Sequence, residues 1–213
     1  MHPDTFQFPV WFDLGATFAF ALTGALAAVK RGYDIVGTFF LALSCGIGGA
    51  LIRDGVFIHS LSPTPILTDP RYIEFVGAAT IFGALFGRHV KRFHRLIAVI
   101  DALGLGAYAV FGVQKSLHAG LAVPAALLVG VINAAGGGLL RDIITGEEPL
   151  VFKPGQFYVL TALAGAVTFV FLTVELNMAA TPSAISAIAL TFIFRALSIT
   201  FNWRTTSVAE IQR

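Results

Sequence analysis

Long apolar runs that carry no charge constrain this chain more than any other feature of its sequence. Residues 35–52 hold no charged side chain, and neither do residues 119–140. A helix needs about 20 apolar residues to cross a hydrocarbon core that is about 30 Å thick. Only 12% of the 213 residues are charged and 56% are hydrophobic, which is too little polar surface for a soluble protein of this size. The sequence therefore predicts an integral membrane protein.

Seven membrane spans account for nearly the whole chain. Backbone groups in lipid must be satisfied internally, and the period-2 alternation of barrel strands is absent, so the spans are predicted to be helices. The fold class is thus an all-α membrane protein with a single transmembrane domain over residues 1–213. The predicted spans are residues 10–29, 35–58, 73–87, 96–114, 121–144, 157–174 and 183–201.

The distribution of basic residues predicts the orientation. No Lys or Arg precedes the first span and Lys30-Arg31 follows it, so the first span is read as an anchor and not as a cleaved signal peptide. Basic residues favour the cytoplasmic side, which predicts an inner-membrane protein with its N-terminus outside and its C-terminus inside. On that topology Arg71 and Lys115 lie outside. The inside set is Lys30, Arg31, Arg88, Lys91, Arg92, Arg95, Lys153, Arg204 and Arg213. The net charge of +2 gives no case for nucleic-acid binding.

The chain repeats itself at a spacing of 88 residues without gaps. The shift superimposes Asp13 on Asp101 and Arg53-Asp54 on Arg141-Asp142. The glycine matches are Gly24 with Gly112, Gly32 with Gly120, Gly48-Gly49 with Gly136-Gly137, and Gly77 with Gly165. Each repeat holds three spans, residues 10–90 and 96–178, and residues 183–203 form an additional helix. Because three is odd, the two repeats cross the membrane in opposite directions, as in many transport proteins.

Charged residues inside the spans are expected to be paired or to face a cavity, since a lone charge in hydrocarbon is costly. In each repeat the aspartate of the first span matches the depth of the arginine in the second span. The predicted cross-helix pairs are Asp13 with Arg53 and Asp101 with Arg141. Asp54 and Asp142 either join these pairs or cap the helix.

Two interpretations fit the glycines. Small residues allow helices to pack closely in lipid. Alternatively, Gly46, Gly48 and Gly49, and then Gly136, Gly137 and Gly138, break the second and fifth spans and free backbone carbonyls near Gly48 and Gly136 for a transient K⁺ ion. Clusters of three in both repeats favour the break.

Few other polar residues lie in the spans. Ser44 and Asn133 precede the glycines, and Thr23 and Tyr108 lie on the first and fourth spans; each either lines a path or bonds a neighbouring helix. Arg195 lies in the seventh span with no acid in that span, and its role stays open among path lining, pairing across subunits and snorkelling. Cys45, the only cysteine, reads as a small buried residue.

The duplicated pattern Gly-Gly-(Gly/Ala)-x-x-Arg-Asp, in an inverted repeat of three plus three spans with a seventh helix, resembles the prokaryotic branch of the TRIC channels, the trimeric intracellular cation channels. The resemblance covers residues 10–201. It implies a homotrimer with a pore through each subunit for monovalent cations, chiefly K⁺. It further implies that the second and fifth helices are kinked at Gly48-Gly49 and Gly136–Gly138 and line the pore with Arg53, Asp54, Arg141 and Asp142. The first motif has Ala50 where the second has Gly138, so the two kinks are expected to differ.

The function predicted from this reading is a passive K⁺ channel, and the alternative is a secondary carrier for a small zwitterion such as glycine. No cofactor is expected. An intramembrane enzyme is disfavoured because no His-Glu-x-x-His motif, serine-histidine arrangement or metal cluster occurs in the spans. The partners expected are monovalent cations, membrane lipids and further copies of the chain.

Overall fold

The computed structural model describes residues 10–59, 64–87, 90–152 and 157–206, and the regular structure in these ranges is helical. Seven long helices follow one another, with one helical turn (α3) before the third. The helices are α1 (Val10–Arg31), α2 (Ile35–Ile52), α3 (Pro65–Thr68), α4 (Arg71–Phe86), α5 (Val90–His118), α6 (Val123–Thr145), α7 (Tyr158–Val170) and α8 (Ala180–Thr200). Two π-helical segments extend α2 over Arg53–Ile58 and α7 over Phe171–Glu175.

The seven long helices correspond to the seven predicted spans, and the all-α membrane class is confirmed. Within the described residues, five of them, counting the π-helical extensions, are long and apolar enough to cross a bilayer by themselves. Helix α4 has 16 residues, and α5 has 29 residues. Of the basic residues assigned to the inside, Arg88, Lys153 and Arg213 lie outside the described ranges.

The same turn closes the first helix of each repeat. Gly32 and Gly120 both adopt left-handed backbone angles, with φ of 76° and 84°. The amide of Gly32 donates to the carbonyl of Val29, and the amide of the next residue donates to the carbonyl of Ala28. At the equivalent positions 88 residues later, the amide of Gly120 donates to the carbonyl of Leu117 and the next amide donates to that of Ser116. A residue with a Cβ is strained at such an angle, which explains a glycine at both positions.

The glycines of α2 and α6 do not interrupt their helices. Both helices run through Gly46–Gly49 and Gly136–Gly138 without a gap, so the expected break in the helix is not seen there. The irregularity in α2 comes later, where the π-helical turn begins at Arg53. The physical reason is close packing, the alternative interpretation of the glycines.

Backbone meets backbone where α2 crosses α6. A Cβ added to Gly49 would lie 2.4 Å from the carbonyl oxygen of Asn133, and one added to Gly137 would lie 2.3 Å from that of Cys45. A Cβ on Gly136 would lie 2.8 Å from the Cα of Gly49. These distances are shorter than van der Waals contact, so only glycine allows the two helices to approach this closely.

Helix α8 lies against α5 and α7 through a stripe of small and polar residues. Its buried residues are Ser183, Ala184, Ala187, Thr191, Arg195 and Ser198, which recur every three or four positions and so share one face. Glycines again permit the contact, since a Cβ on Gly165 of α7 or on Gly106 of α5 would press on Thr191. The charge of Arg195 is thereby turned toward the helix bundle.

Candidate functional site

The first charge cluster, formed by Arg53, Asp54 and Lys115, lies at the end of α2. The guanidinium of Arg53 donates to both carboxylate oxygens of Asp54, at 2.6 and 2.9 Å, and Lys115 of α5 donates to the same carboxylate at 2.7 Å. Arg53 is 2% exposed and Asp54 is 1% exposed. The carboxylate therefore shares its charge between two cations, and the guanidinium also stacks over the ring of Phe111.

A buried chain of hydrogen bonds leads from this cluster to the glycines of α2. Arg53 donates to the amide oxygen of Asn133 at 3.4 Å, and Asn133 donates to the backbone oxygen of Tyr108 at 2.7 Å. The hydroxyl of Tyr108 donates to the carbonyl of Gly46 at 3.0 Å and pairs with the hydroxyl of Thr17 at 2.8 Å. The chain connects α1, α2, α5 and α6, so these four helices share one polar interior.

Asp13 does not form the predicted ion pair with Arg53. Its carboxylate accepts a hydrogen bond from the hydroxyl of Tyr72 in α4. The prediction of a cross-helix pair is wrong here because Arg53 is already bound in two-point contact to the adjacent Asp54. Asp13 instead lines a small, shallow cleft between α1 and α5, together with Tyr108 and the ring of Phe111.

The second charge cluster, formed by Asp101, Arg141, Asp142 and Arg195, surrounds the end of α6. Arg141 donates to Asp142 at 2.9 Å, and the other oxygen of Asp142 accepts from the amide of Leu150 at 3.2 Å. The predicted pair of Asp101 with Arg141 is also not formed, since the adjacent aspartate is again the nearer partner. The motif thus neutralises its own arginine in both repeats.

Arg195 of α8 completes the second cluster. Its guanidinium lies 4.9 Å from the ring centre of Tyr158, and the residue is only 6% exposed. In the described part of the chain, its Nε and Nη1 groups have no hydrogen-bond acceptor. Tyr158 also touches the motif, because a Cβ added to Gly138 would lie 3.4 Å from its hydroxyl. Of the roles left open for Arg195, its burial disfavours snorkelling.

Two other polar residues of the spans form hydrogen bonds within their own helices. Ser44 and Thr23 each return a hydrogen bond to a carbonyl of their own helix, at Phe40 and Phe20. Cys45 is buried, as predicted. The carbonyls near Gly48 and Gly136 belong to continuous helices, and a K⁺ site there stays a prediction. No cluster of metal-binding side chains occurs within the residues that the structure describes.

Three contacts of these charged residues were not predicted from the sequence: Lys115 with Asp54, Tyr72 with Asp13 and Tyr158 with Arg195. Lys115 was counted only as a basic residue at a span end, and Tyr72 and Tyr158 were not singled out. The two tyrosines occupy similar positions near the starts of α4 and α7, 86 residues apart, so the 88-residue register without gaps did not align them. A search that allowed a shift of two residues would have found the pair.

An exposed ion pair ties the end of α1 to the segment after α6. Arg31 donates to Glu147 at 2.8 Å, and this hydrogen bond lowers the pKa of the Glu147 carboxyl. In the predicted topology both residues face the cytoplasm, so their contact is compatible with that orientation. Near the start of α4, the hydrogen bonds from Arg71 lower the pKa of Asp69 in the same way.

Comparison with known proteins gives consistent relatives. The family described as Glycine transporter matches residues 10–88 and residues 98–174, two stretches that begin 88 residues apart. A UPF0126 membrane protein of Deinococcus radiodurans is 31% identical over 157 residues, covering 73% of this chain and 72% of the relative. The UPF0126 inner membrane protein YadS of Escherichia coli K12 is 28% identical over 158 residues, covering 74% and 75%.

A solved structure covers more of the chain. The TRIC trimeric intracellular cation channel orthologue from Rhodobacter sphaeroides superimposes with a TM-score of 0.83 at 30% identity, over 90% of this chain and 97% of that one. The likeness therefore extends to α8, which the sequence family does not match.

Proposed function

We propose that this chain, which belongs to the family described as Glycine transporter and to the prokaryotic TRIC-like proteins, is a passive channel for monovalent cations, chiefly K⁺. The observation that carries the proposal is the likeness of 90% of the chain to a TRIC cation channel at 30% identity. Solved structures that resemble this chain are channels and not enzymes, and we propose no catalytic role.

The charge pairing is compatible with cation passage. Two buried arginines beside a path would repel cations if their charges were free, which is the main objection to a K⁺ channel. Arg53 and Arg141 are each bound to the aspartate that follows them. Each Arg-Asp motif is therefore close to neutral, and its arginine is not a free positive charge beside the path.

The path that we propose runs through each subunit, past the second charge cluster, the glycines of α2 and α6, and the first charge cluster. It includes the predicted residues Ser44, Asn133 and the glycines of both motifs. In this structure the two glycine helices are in direct contact. Passage of an ion therefore requires α2 and α6 to separate, and the π-helical turn at the end of α2 is a place where that movement is easy.

The chain is a multi-pass inner membrane protein, and we propose a homotrimer with its N-terminus outside and its C-terminus in the cytoplasm. Native mass spectrometry in detergent tests the trimer, and labelling of single introduced cysteines in a Cys45→Ala background tests the orientation. A cysteine after α8 that reacts with an impermeant reagent in intact cells contradicts the topology.

Current across planar bilayers tests the function. Purified protein under a KCl gradient is expected to give single-channel events that reverse near the K⁺ equilibrium potential. Reversal at the Cl⁻ potential overturns cation selectivity. A matched preparation from cells that do not express the protein controls for contaminating channels.

The alternative is a carrier for a small zwitterion such as glycine, which the family description favours. A carrier gives saturable uptake of labelled glycine into liposomes and no single-channel events. Saturable glycine uptake together with silent bilayers would replace the channel by the carrier.

A further inference from the structure

Lys115 makes the two Arg-Asp motifs electrostatically unequal. In the 88-residue register, Lys115 of α5 corresponds to Ala27 of α1. Besides its own arginine, the carboxylate of Asp142 accepts from the uncharged backbone amide of Leu150 at 3.2 Å. The equivalent carboxylate of Asp54 accepts instead from the ammonium of Lys115 at 2.7 Å. A neutral donor in one repeat is therefore replaced by a full positive charge in the other.

Lys115 lies at the outward end of the face of α5 that lines the cleft. Tyr108 and Phe111 line this cleft, and Lys115 follows Phe111 by four residues, so the three side chains share one face of the helix. The helix ends three residues later, on the outer side in the proposed topology. The side chain of Lys115 is 29% exposed, whereas those of Asp54 and Arg53 are buried. The ammonium is thus the part of the first charge cluster that water reaches.

The charge of Lys115 is not needed to neutralise Asp54. Arg53 already donates to both oxygens of that carboxylate, at 2.6 and 2.9 Å, and such a two-point contact is the strong form of this pair. The nearby carboxylate of Asp13 is bonded to Tyr72 of α4. A partly exposed lysine adds little stability as an ion pair. The position of its charge, at the entrance to the proposed path, therefore calls for a functional explanation.

We propose that Lys115 limits the rate at which cations enter the path at its outer end. This inference rests on the proposed function and names the residue that regulates it at the first charge cluster. A positive charge at the mouth of a path lowers the local concentration of cations, because the potential of the lining charges acts on the entering ions. Since Arg53 keeps Asp54 paired, removal of the lysine charge is expected to raise the K⁺ current and to leave the fold intact.

Single-channel conductance in planar bilayers, with equal KCl on both sides, tests the inference. At about 0.01 M KCl, where electrostatic interactions reach about 30 Å, Lys115→Gln is expected to conduct roughly two- to fivefold better than the wild type, the scale of one unit charge near the path in water. At about 1 M KCl, where the screening length is about 3 Å, the two are expected to conduct almost equally. Lys115→Arg keeps the charge and is expected to match the wild type at both concentrations.

Chemical modification of one thiol separates the charge from the folding of each variant. Lys115→Cys in the Cys45→Ala background places the thiol at a partly exposed position. A methanethiosulfonate reagent added on the outer side forms a disulfide with this thiol and releases methanesulfinate. A reagent that carries an ammonium group is expected to lower the conductance at low salt, and one that carries a sulfonate group is expected to raise it. Because the same folded channel is compared before and after reaction, a change in stability does not produce opposite effects.

The outcomes separate the inference from the proposed function. K⁺ current in the wild type, together with a Lys115→Gln ratio that does not depend on salt, overturns the inference and leaves the channel. Equal responses to the two reagents, or a Lys115→Arg variant that conducts like Lys115→Gln, overturn it in the same way. A wild type that passes no K⁺ current overturns the proposed function, and the inference falls with it.

Discussion

Replacing Gly49 by alanine tests whether the motif glycines serve close packing of α2 against α6. The added Cβ would lie 2.4 Å from the carbonyl oxygen of Asn133 and 3.4 Å from its carbon. Ordinary contact begins about 1 Å further out, so the two helices must separate by about that distance. The displacement also strains the hydrogen bonds that Asn133 makes with Arg53 and Tyr108.

The magnitude follows from opposing contributions. Overpacking costs about 1–3 kcal/mol and weakening of the Asn133 hydrogen bonds about 1 kcal/mol, while alanine gains about 1 kcal/mol in helix propensity. We expect Gly49→Ala to lose about 2 kcal/mol, which lowers the midpoint temperature by about 4–8 °C in a chain of this size. Thermal unfolding of purified protein in detergent, followed by fluorescence, measures the change.

Gly77→Ala is the matched control. Gly77 lies in the interior of α4, and an added Cβ meets nothing within 4 Å in the chain. The same substitution is therefore expected to raise the midpoint, since only the gain in helix propensity remains. A Gly49→Ala protein as stable as Gly77→Ala would refute the packing argument and revive the broken helix.

Three further changes probe the charges and the polar chain. Arg53→Ala leaves Asp54 with Lys115 as its only cation. The variant is expected to lower the free energy of unfolding by about 3–5 kcal/mol, because a buried ion pair loses one partner. Wild-type stability in thermal unfolding would contradict the burial of the pair. Tyr108→Phe removes the hydroxyl that reaches Thr17 and Gly46 and is expected to cost about 1–2 kcal/mol, whereas an unchanged midpoint would show that this hydrogen-bonded chain is not stabilising. For Glu147, the hydrogen bond from Arg31 lowers the folded pKa, so its stabilisation is complete above the unfolded value and is lost as the pH falls through the folded value. The pair is exposed and contributes under about 1 kcal/mol of stability. When the midpoint temperature is measured against pH, Glu147→Gln is expected to flatten only the acid side of the curve. An effect at neutral pH alone would argue against the ion pair.

The fold was largely predictable because the local sequence is enough to identify membrane helices. Uncharged runs of about 20 residues can only be helices in lipid, and the seven spans agree with the helices to within a few residues at most ends. The repeat was visible because its glycines and charges recur in one register. Gly32 and Gly120, which are equivalent in that register, both adopt left-handed backbone angles.

The partners of the charges were less predictable. Depth along the helices suggested that Asp13 and Asp101 meet the arginines, but depth does not tell which way a long side chain folds. Arg53 and Arg141 reach back to the next residue, a contact that depends on rotamers and on the space left by neighbouring helices. The glycines were open to two interpretations for the same reason, since a glycine that loosens a helix and a glycine that admits a neighbouring helix look identical in the sequence.

The sequence by itself determined the membrane, the seven helices, the duplication and the positions of the buried charges, because hydrophobic length and residue type are properties of the chain. Only the tertiary structure decided which glycine faces which backbone, that Lys115 binds Asp54 and Tyr72 binds Asp13, and that Arg195 is stacked on Tyr158. Those contacts join residues far apart along the chain, and their geometry is set by how the helices cross, which no local pattern encodes.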